Sequence, residues 1–427
     1  MTETCPHDGL FAAATPDLVR CPYPVYEHLR GEHPVEWIPA LTAYAVTRHA
    51  DILDVLLRPE DFSSRKQSGP GAATTLAVAA AEDPQYSDRV RAAAVRRIGI
   101  AEKGAALVNC DPPRHGEQRK MMNKVFTPRR VALLEPPIRE LAEGLVDAFV
   151  ALGRADVVAE LATPLPMTVI ARALGIEGTD IPTLKRWSDA FVRANGRPNL
   201  SVEEISALIL SLDECYDFFE ARMEERLADP REDLVTDVAQ ADLCHEERLQ
   251  MLTLFLIGGN ETTNSLIASC IWMLCRRPEL QDELRADPDL IPPFVEETLR
   301  VEPPVQGLFR QAMRDTTVGG VPIQAGEFLW LVYGSANRDE AQFPTPDEIR
   351  LDRGAEGRRH LSFAQGPHFC LGAPLARAEA RIALETLLAR TRNLALAPDE
   401  DAGSWAPNLV QHNLTRLNVV FDPVDLS

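Results

Sequence analysis

The stretch Phe363-Ala364-Gln365-Gly366-Pro367-His368-Phe369-Cys370-Leu371-Gly372 places one cysteine among glycines and aromatic rings, directly before APLARAEARIALETLLA, residues 373–389. The second segment carries an apolar stripe at helical spacing, including Leu375, Ile382, Leu384 and Leu387. Cys370 therefore sits in a loop that feeds a helix N-terminus, where backbone N–H groups and the helix dipole favour a thiolate. Gly366 permits a tight turn there, and Gly372 lets the backbone approach a flat ligand. Such a thiolate can serve as a nucleophile, as a metal ligand or only as a packed small hydrophobe, and spacing alone leaves all three open. His368 is two residues away, whereas a Cys–His catalytic pair is usually distant in sequence.

The other seven cysteines have no comparable surroundings. None forms a CxxC pair, so a zinc site lacks its closely spaced ligands, and the thiols read as reduced. The net charge of −20 in 427 residues argues against nucleic-acid binding, which needs a concentrated positive field. No apolar run reaches the eighteen or so residues of a membrane span, and the first residues show no charged-then-apolar leader pattern. The expectation is a reduced, cytoplasmic protein.

Helical periodicity dominates, over 130–152, 202–227, 246–275 and 373–389. Pro136 and Pro137 are expected to break the first of these near its start. Strand-like stretches are few: 43–49, a hairpin around Gly319-Gly320 followed by a further strand, and 414–421. The chain reads as mainly α with a minor β region, with no linker or repeat to divide it.

Two further stretches carry chemistry. In LFLIGGNETTNSL, Gly258 and Gly259 interrupt a long helix at about 1 kcal/mol each relative to alanine, and Glu261, Thr262 and Thr263 follow them. The pattern suits either a packing notch beside a polar stripe or a groove where a small molecule touches backbone. In PFVEETLRVEPPVQGLFRQAMRD, Glu297 and Arg300 share one helix face at i and i+3. Such pairs are common and alone mean little.

Together and in this order, the three stretches resemble the cytochrome P-450, or haem-thiolate monooxygenase, superfamily of the soluble bacterial type, over nearly the whole chain. The pattern FxxGxHxCxG is met by Phe363, Gly366, His368, Cys370 and Gly372, Gly-x-acid-Thr by Gly259, Glu261 and Thr262, and ExxR by Glu297 and Arg300. The resemblance implies one domain over 1–427, haem b as cofactor, Cys370 as the iron's axial ligand and O2 as co-substrate. A thiolate ligand pushes electron density onto iron and favours O–O cleavage.

It further implies that His115, Arg119, Arg310 and His368 bind the haem propionates, that Phe363, Gly372, Gly258 and Gly259 border the haem, and that Glu261 and Thr262 handle protons. Glu297, Arg300 and Arg353 become a structural cluster. Val305, Leu308, Phe309, Leu409 and Val410 fall in substrate-contacting segments, whose apolar character suggests a terpenoid, steroid, fatty or aromatic compound.

Two departures from the pattern stand out: Ala364 where glycine is frequent, and Gly258 where alanine is commoner. The segment 63–109 is longer than usual, and its many alanines suggest a weakly packed, mobile lid. Electrons are expected from NAD(P)H through a ferredoxin reductase and a ferredoxin. The donor would be drawn to Arg119, Lys120, Lys124, Arg129, Arg130, Arg358, Arg359, Arg377 and Arg381, with Arg119 turned inward. A monomer is expected. A peroxide-driven peroxygenase, or a haem-binding sensor or carrier, is the alternative reading, and the acid–threonine pair counts against both.

Overall fold

Thirty-two consecutive residues, His245–Arg276, form the helix around which the other elements pack. A capping box starts it: the Cys244 sulfur accepts from Glu247 N–H, and the Glu247 carboxylate accepts from Cys244 N–H at 2.9 Å. The helix is apolar on most of its circumference, so burial on several sides is its stable state. Its first half joins Val202–Ala228 and Leu234–Ala239 in one core cluster. Its second half joins Pro128–Val150, Ile291–Val301 and Ala373–Arg390 in another. The computed structural model describes residues 16–66, 68–70, 73–123, 128–194, 200–398 and 403–424. Among them no helix is long and apolar enough to cross a membrane.

The β region is small, as the sequence suggests. Five strands run in the order Val35–Ile38, Ala43–Val46, Phe328–Leu331, Leu308–Ala312, Phe62–Ser63, and only the second and third of these pair in parallel. The hairpin Thr316–Val318 with Val321–Ile323 turns at Gly319 and Gly320, both at positive φ. The stretch 414–421 divides into Leu414–Arg416 and Asn418–Pro423, which join different sheets.

Two expectations need correction. Pro128–Val150 runs unbroken through Pro136 and Pro137. Pro136 is exposed, so water can satisfy the freed carbonyl, and Val131, Ile138, Ala142, Val146 and Phe149 bury a continuous stripe on the other side. The segment 63–109 is not a loosely packed lid. It folds into Ala73–Glu82 and Asp88–Lys103, whose alanines let the helices approach closely over Ala77, Ala80, Ala93, Ala94 and Ile209. Arg96 then clamps Asp213, Asp217 and Glu220 of the helix Val202–Ala228 at 2.7, 2.7 and 3.0 Å.

The Glu297 carboxylate is 2% exposed and meets two guanidiniums. Arg300 donates to both of its oxygens at 2.8 and 2.9 Å, and Arg353 to one at 3.0 Å. Burial alone would raise its pKa, but Arg300, Arg350 N–H and Arg353 hold it below the usual carboxylate range. Its stabilisation is therefore present above that range and lost as the pH falls below it, through the lower folded value. Glu297→Ala strands two buried cations and should cost about 3–5 kcal/mol, read as a lowered urea midpoint. An unchanged midpoint would refute the structural role.

Candidate active site

One cavity collects most of the residues singled out in the sequence. Cys370 is exposed, and because it lines this cavity its open surface faces inward. The loop before it is fixed from within: Cys370 N–H donates to Phe363 O at 2.9 Å, and Gly366 turns at φ +72°. Gly372 caps the helix Ala373–Arg390. Burial raises the Cys370 thiol pKa, while the Gly372 and Ala373 N–H groups and the charges of Arg119 and Arg377 pull against it. Ala364 takes φ +55°, a left-handed conformation that costs an L-residue roughly 1–2 kcal/mol. Glycine is the unstrained choice there, which gives the departure at Ala364 a physical meaning.

A second group of residues gathers positive charge beside the cavity, with Arg119 in its wall and Arg310 outside the lining. Arg310, 3% exposed, donates to Phe309 O at 2.8 Å, and neither it nor Arg119 has a carboxylate within ion-pair distance among the described residues. Burial pushes both guanidiniums below their ordinary pKa. His115 stacks on His368 with ring centroids 4.0 Å apart. His368 meets Ser64 Oγ at 3.1 Å, and burial with Arg310, His115 and Arg119 nearby lowers its pKa to about 3, so it is neutral. Arg310 is buried and Arg119 half-buried, both without counter-charges among the described residues of a protein of net charge −20, a costly arrangement that acidic groups of a ligand would relieve. A haem supplies two carboxylates at one edge and an iron for a thiolate, so these residues fit it.

Opposite the cysteine runs one face of the central helix: Leu254, Phe255, Gly258, Gly259, Thr262, Thr263 and Leu266. The two glycines serve different ends. A Cβ on Gly259 would meet Ile170 Cγ1 at 2.8 Å, so Gly259 is a packing notch, whereas a Cβ on Gly258 would meet nothing within 4 Å. Thr262 donates to Gly258 O at 3.1 Å, one turn back, and keeps its oxygen lone pairs for the cavity. Glu261 does not line the cavity. Its carboxyl is 4% exposed beside the helix Ile181–Ala194, with Lys185 Nζ at 4.0 Å. Its Oε1 has no hydrogen-bond partner among the described residues, and burial pushes its pKa up to about 7 against the pull of Lys185.

Of the expected substrate contacts, Val305 and Leu308 line the cavity. Phe309 and Leu409 are buried elsewhere with Tyr26 and Trp330, and Val410 packs against that cluster. Strand alternation separates them: in Leu308–Ala312, Leu308 faces the cavity, Phe309 the opposite side and Arg310 the cavity side again. Two of the lining residues that the sequence reading missed carry polar atoms, Tyr333 hydroxyl and Glu379 Oε2, that are buried without hydrogen-bond partners among the described residues. Helical spacing could have found Glu379, since Gly372, Leu375, Ala376 and Glu379 share one face. Of the expected docking charges, Arg377 is spent on Glu296 at 2.5 Å, and Arg381 on Glu135 and Glu385 at 2.7 and 2.9 Å. Lys124 lies outside the described residues.

The family model for cytochrome P-450 matches residues 199–401. A Mycobacterium tuberculosis protein, cytochrome P-450 144, is 34% identical over 94% of this chain and 89% of its own length. The mycinamicin IV hydroxylase/epoxidase of Micromonospora griseorubida is 38% identical over 74% of this chain and 79% of its own. The crystal structure of CYP109E1 from Bacillus megaterium in complex with testosterone matches with a TM-score of 0.80 and 30% identity, over 95% of this chain and 99% of that one.

Glu261 yields a pH prediction. Its folded pKa lies above the unfolded value, so the stability it contributes is complete below the ordinary carboxylate range and lost as the pH rises through about 7. An infrared carboxyl titration, with Glu261→Gln identifying the band, should find this midpoint, and Lys185→Met should move it higher. A midpoint in the ordinary range, or one that ignores Lys185, would contradict the geometry.

Proposed function

From a chain that belongs to the cytochrome P-450 family and is a haem-dependent monooxygenase, we propose an enzyme that hydroxylates, or otherwise oxidises, an apolar small molecule held between Cys370 and the central helix. When bound, the haem (haem b in this reading) activates O2 with two electrons, so that one oxygen atom enters the substrate and the other leaves as water. Everything else falls to the chain. One observation carries the reading: a single cavity holds a thiol at a helix N-terminus, the Arg119 guanidinium with no carboxylate partner among the described residues, and a helix face opened at Gly258 beside a threonine hydroxyl.

Cys370 would supply the sulfur that holds the haem iron, and the N–H groups of Gly372 and Ala373 would temper its charge. Arg119 and Arg310 hold the propionates through charge-assisted hydrogen bonds, with His115 and His368 as neutral partners. Leu107, Val108, Ile170, Leu254, Phe255, Val305 and Leu308 make an apolar wall that excludes water and selects apolar substrates. The testosterone held by one relative and the hydroxylase/epoxidase chemistry of another support that class.

Proton handling is divided between two neighbours on the helix. Glu261, on the side of Lys185, takes up a proton near neutral pH and passes it towards the hydroxyl of Thr262, which presents it in the cavity. The electron donor in this proposal is an acidic ferredoxin, reduced by NAD(P)H through its reductase. Lys120, Arg129, Arg358 and Arg359 are exposed and would steer it. The whole chain acts as one domain, as a cytoplasmic monomer whose net negative charge disfavours self-association.

Thr262→Ala tests the reading in one assay. With NADH, a ferredoxin reductase and an acidic ferredoxin, the parent should couple reductant to oxidised substrate and slow as salt rises, since surface charges are screened beyond about 10 Å at 0.1 M. The variant should bind substrate equally and divert most of the reductant to peroxide. Unchanged coupling would remove Thr262 from the mechanism.

A further inference from the structure

A second cavity, of about 700 Å³, lies behind the partition that closes the first. Two short segments build the partition. Val305 bridges Gln411, His412 N–H donates to Pro304 O at 2.9 Å, and Gln306 N–H donates to Val410 O at 2.7 Å. Pro304 and Val305 face the thiol cavity, whereas Glu302 and His412 face the second one. The central helix is common to both, with Leu266 in the first and Ser269 and Trp272 in the second. Ser265 ties that helix to the partition through Asn413 Oδ1 at 2.6 Å.

The walls of this cavity point to a ligand chemistry. Trp272 and Trp405 meet edge to face, with centroids 5.0 Å apart at 89°. Arg276 lies 5.6 Å over Trp272, and Arg20 lies 5.9 Å over Trp405. Both guanidiniums are exposed, and neither has a carboxylate partner among the described residues. The acids nearby are mostly spoken for. Glu302 accepts from Tyr23 hydroxyl at 2.6 Å and meets His412 Nδ1 at 3.2 Å and Arg338 at 3.7 Å. Asp347 is held by Arg338 at 2.6 Å, and Glu27 is exposed at the rim. His412 is 6% exposed, and its other ring nitrogen, Nε2, is buried with no hydrogen-bond partner among the described residues. His412 also stacks on Trp405, with centroids 6.1 Å apart. Aromatic rings, two guanidiniums without carboxylate partners among the described residues and a buried imidazole nitrogen together suit a flat ring that carries an anionic group.

We propose that this cavity binds a small planar aromatic carboxylate, and that its occupancy is linked through the 302–306 and 410–413 partition to occupancy of the thiol cavity. The carboxylate lies against Arg20 and Arg276, and the ring lies against Trp272 and Trp405. Binding at the second cavity does not depend on the oxidation chemistry proposed above. Only the linkage refers to the first cavity, and it concerns binding there, not turnover.

The experiment uses the full-length haem-loaded protein and 2-naphthoate as probe, followed by quenching of tryptophan fluorescence. Quenching should saturate, the neutral amide of the same ring should bind far more weakly, and Arg20→Glu with Arg276→Glu should raise the Kd at least about tenfold. Saturating 2-naphthoate should also change the apparent Kd of an apolar ligand titrated into the thiol cavity, and that ligand should change the Kd of 2-naphthoate by the same factor. Three results would overturn the site: equal binding of acid and amide, indifference to the double charge reversal, or simple competition with the apolar ligand. Charge-dependent quenching with no reciprocal effect would overturn the linkage.

Discussion

A carboxylate removed from water must be matched, and the match made at Glu297 orders the cysteine side of the molecule. Arg300, fully buried, holds that carboxylate and spends its remaining donors on the carbonyls of Asn337, Pro346 and Glu348 at 3.1, 2.5 and 2.8 Å. Asn337 in turn accepts from Leu361 N–H at 2.6 Å and donates to Ser362 Oγ at 2.8 Å. The Ser362 hydroxyl returns to Leu299 O at 2.6 Å, on the same helix as Glu297 and Arg300. The next residue is Phe363, whose carbonyl receives Cys370 N–H. Hydrogen bonds thus tie one buried ion pair to Ser362, and the next residue along the chain holds the backbone of Cys370, so the matched charge anchors the start of the cysteine loop.

The two functional sides of the cavity obey opposite rules. On the cysteine side, charge is matched wherever the fold itself must be held, at Glu297 and again at Glu296 with Arg377 and His360. Among the described residues Arg119 and Arg310 are left without acids, which is where a ligand's own anions enter the scheme. On the side of the central helix, the polar groups are few and separated by the helical turn. Thr262 reaches the cavity, and its neighbour Glu261, about 100° further round, reaches the helix Ile181–Ala194. Between them and the start of the helix lies the glycine pair, where Gly258 leaves the backbone open and Gly259 fixes the helix against Ile170.

Much of this was legible in the residues, and the misses share a cause. The long helices, the small β region and the Gly319-Gly320 hairpin follow from apolar periodicity and turn chemistry, which are local. The Glu297–Arg300 pair was visible as spacing, but its burial was not, because burial depends on the segment 337–353 folding over it. Pro136 and Pro137 misled because a one-residue rule was set against a stripe of core contacts that only the packed structure reveals. The alanines of 73–103 suggested weakness where close helix approach gives a firm wall. Phe309, Leu409 and Val410 were placed by segment, when the side to which each side chain points is what decides its contacts. Arg377 and Arg381 looked like free charge because their partners, Glu296, Glu135 and Glu385, are visible only once the helices are packed.

The central claim is that the Cys370 sulfur is the ligand through which the haem is held and tuned. It is tested most directly by the absorption spectrum of the reduced, haem-loaded protein under carbon monoxide, recorded for the parent and for Cys370→His. The account predicts the strongly red-shifted Soret band of thiolate ligation in the parent and its loss in a variant that still binds haem. A parent without that band, or a variant that keeps it, would contradict the account.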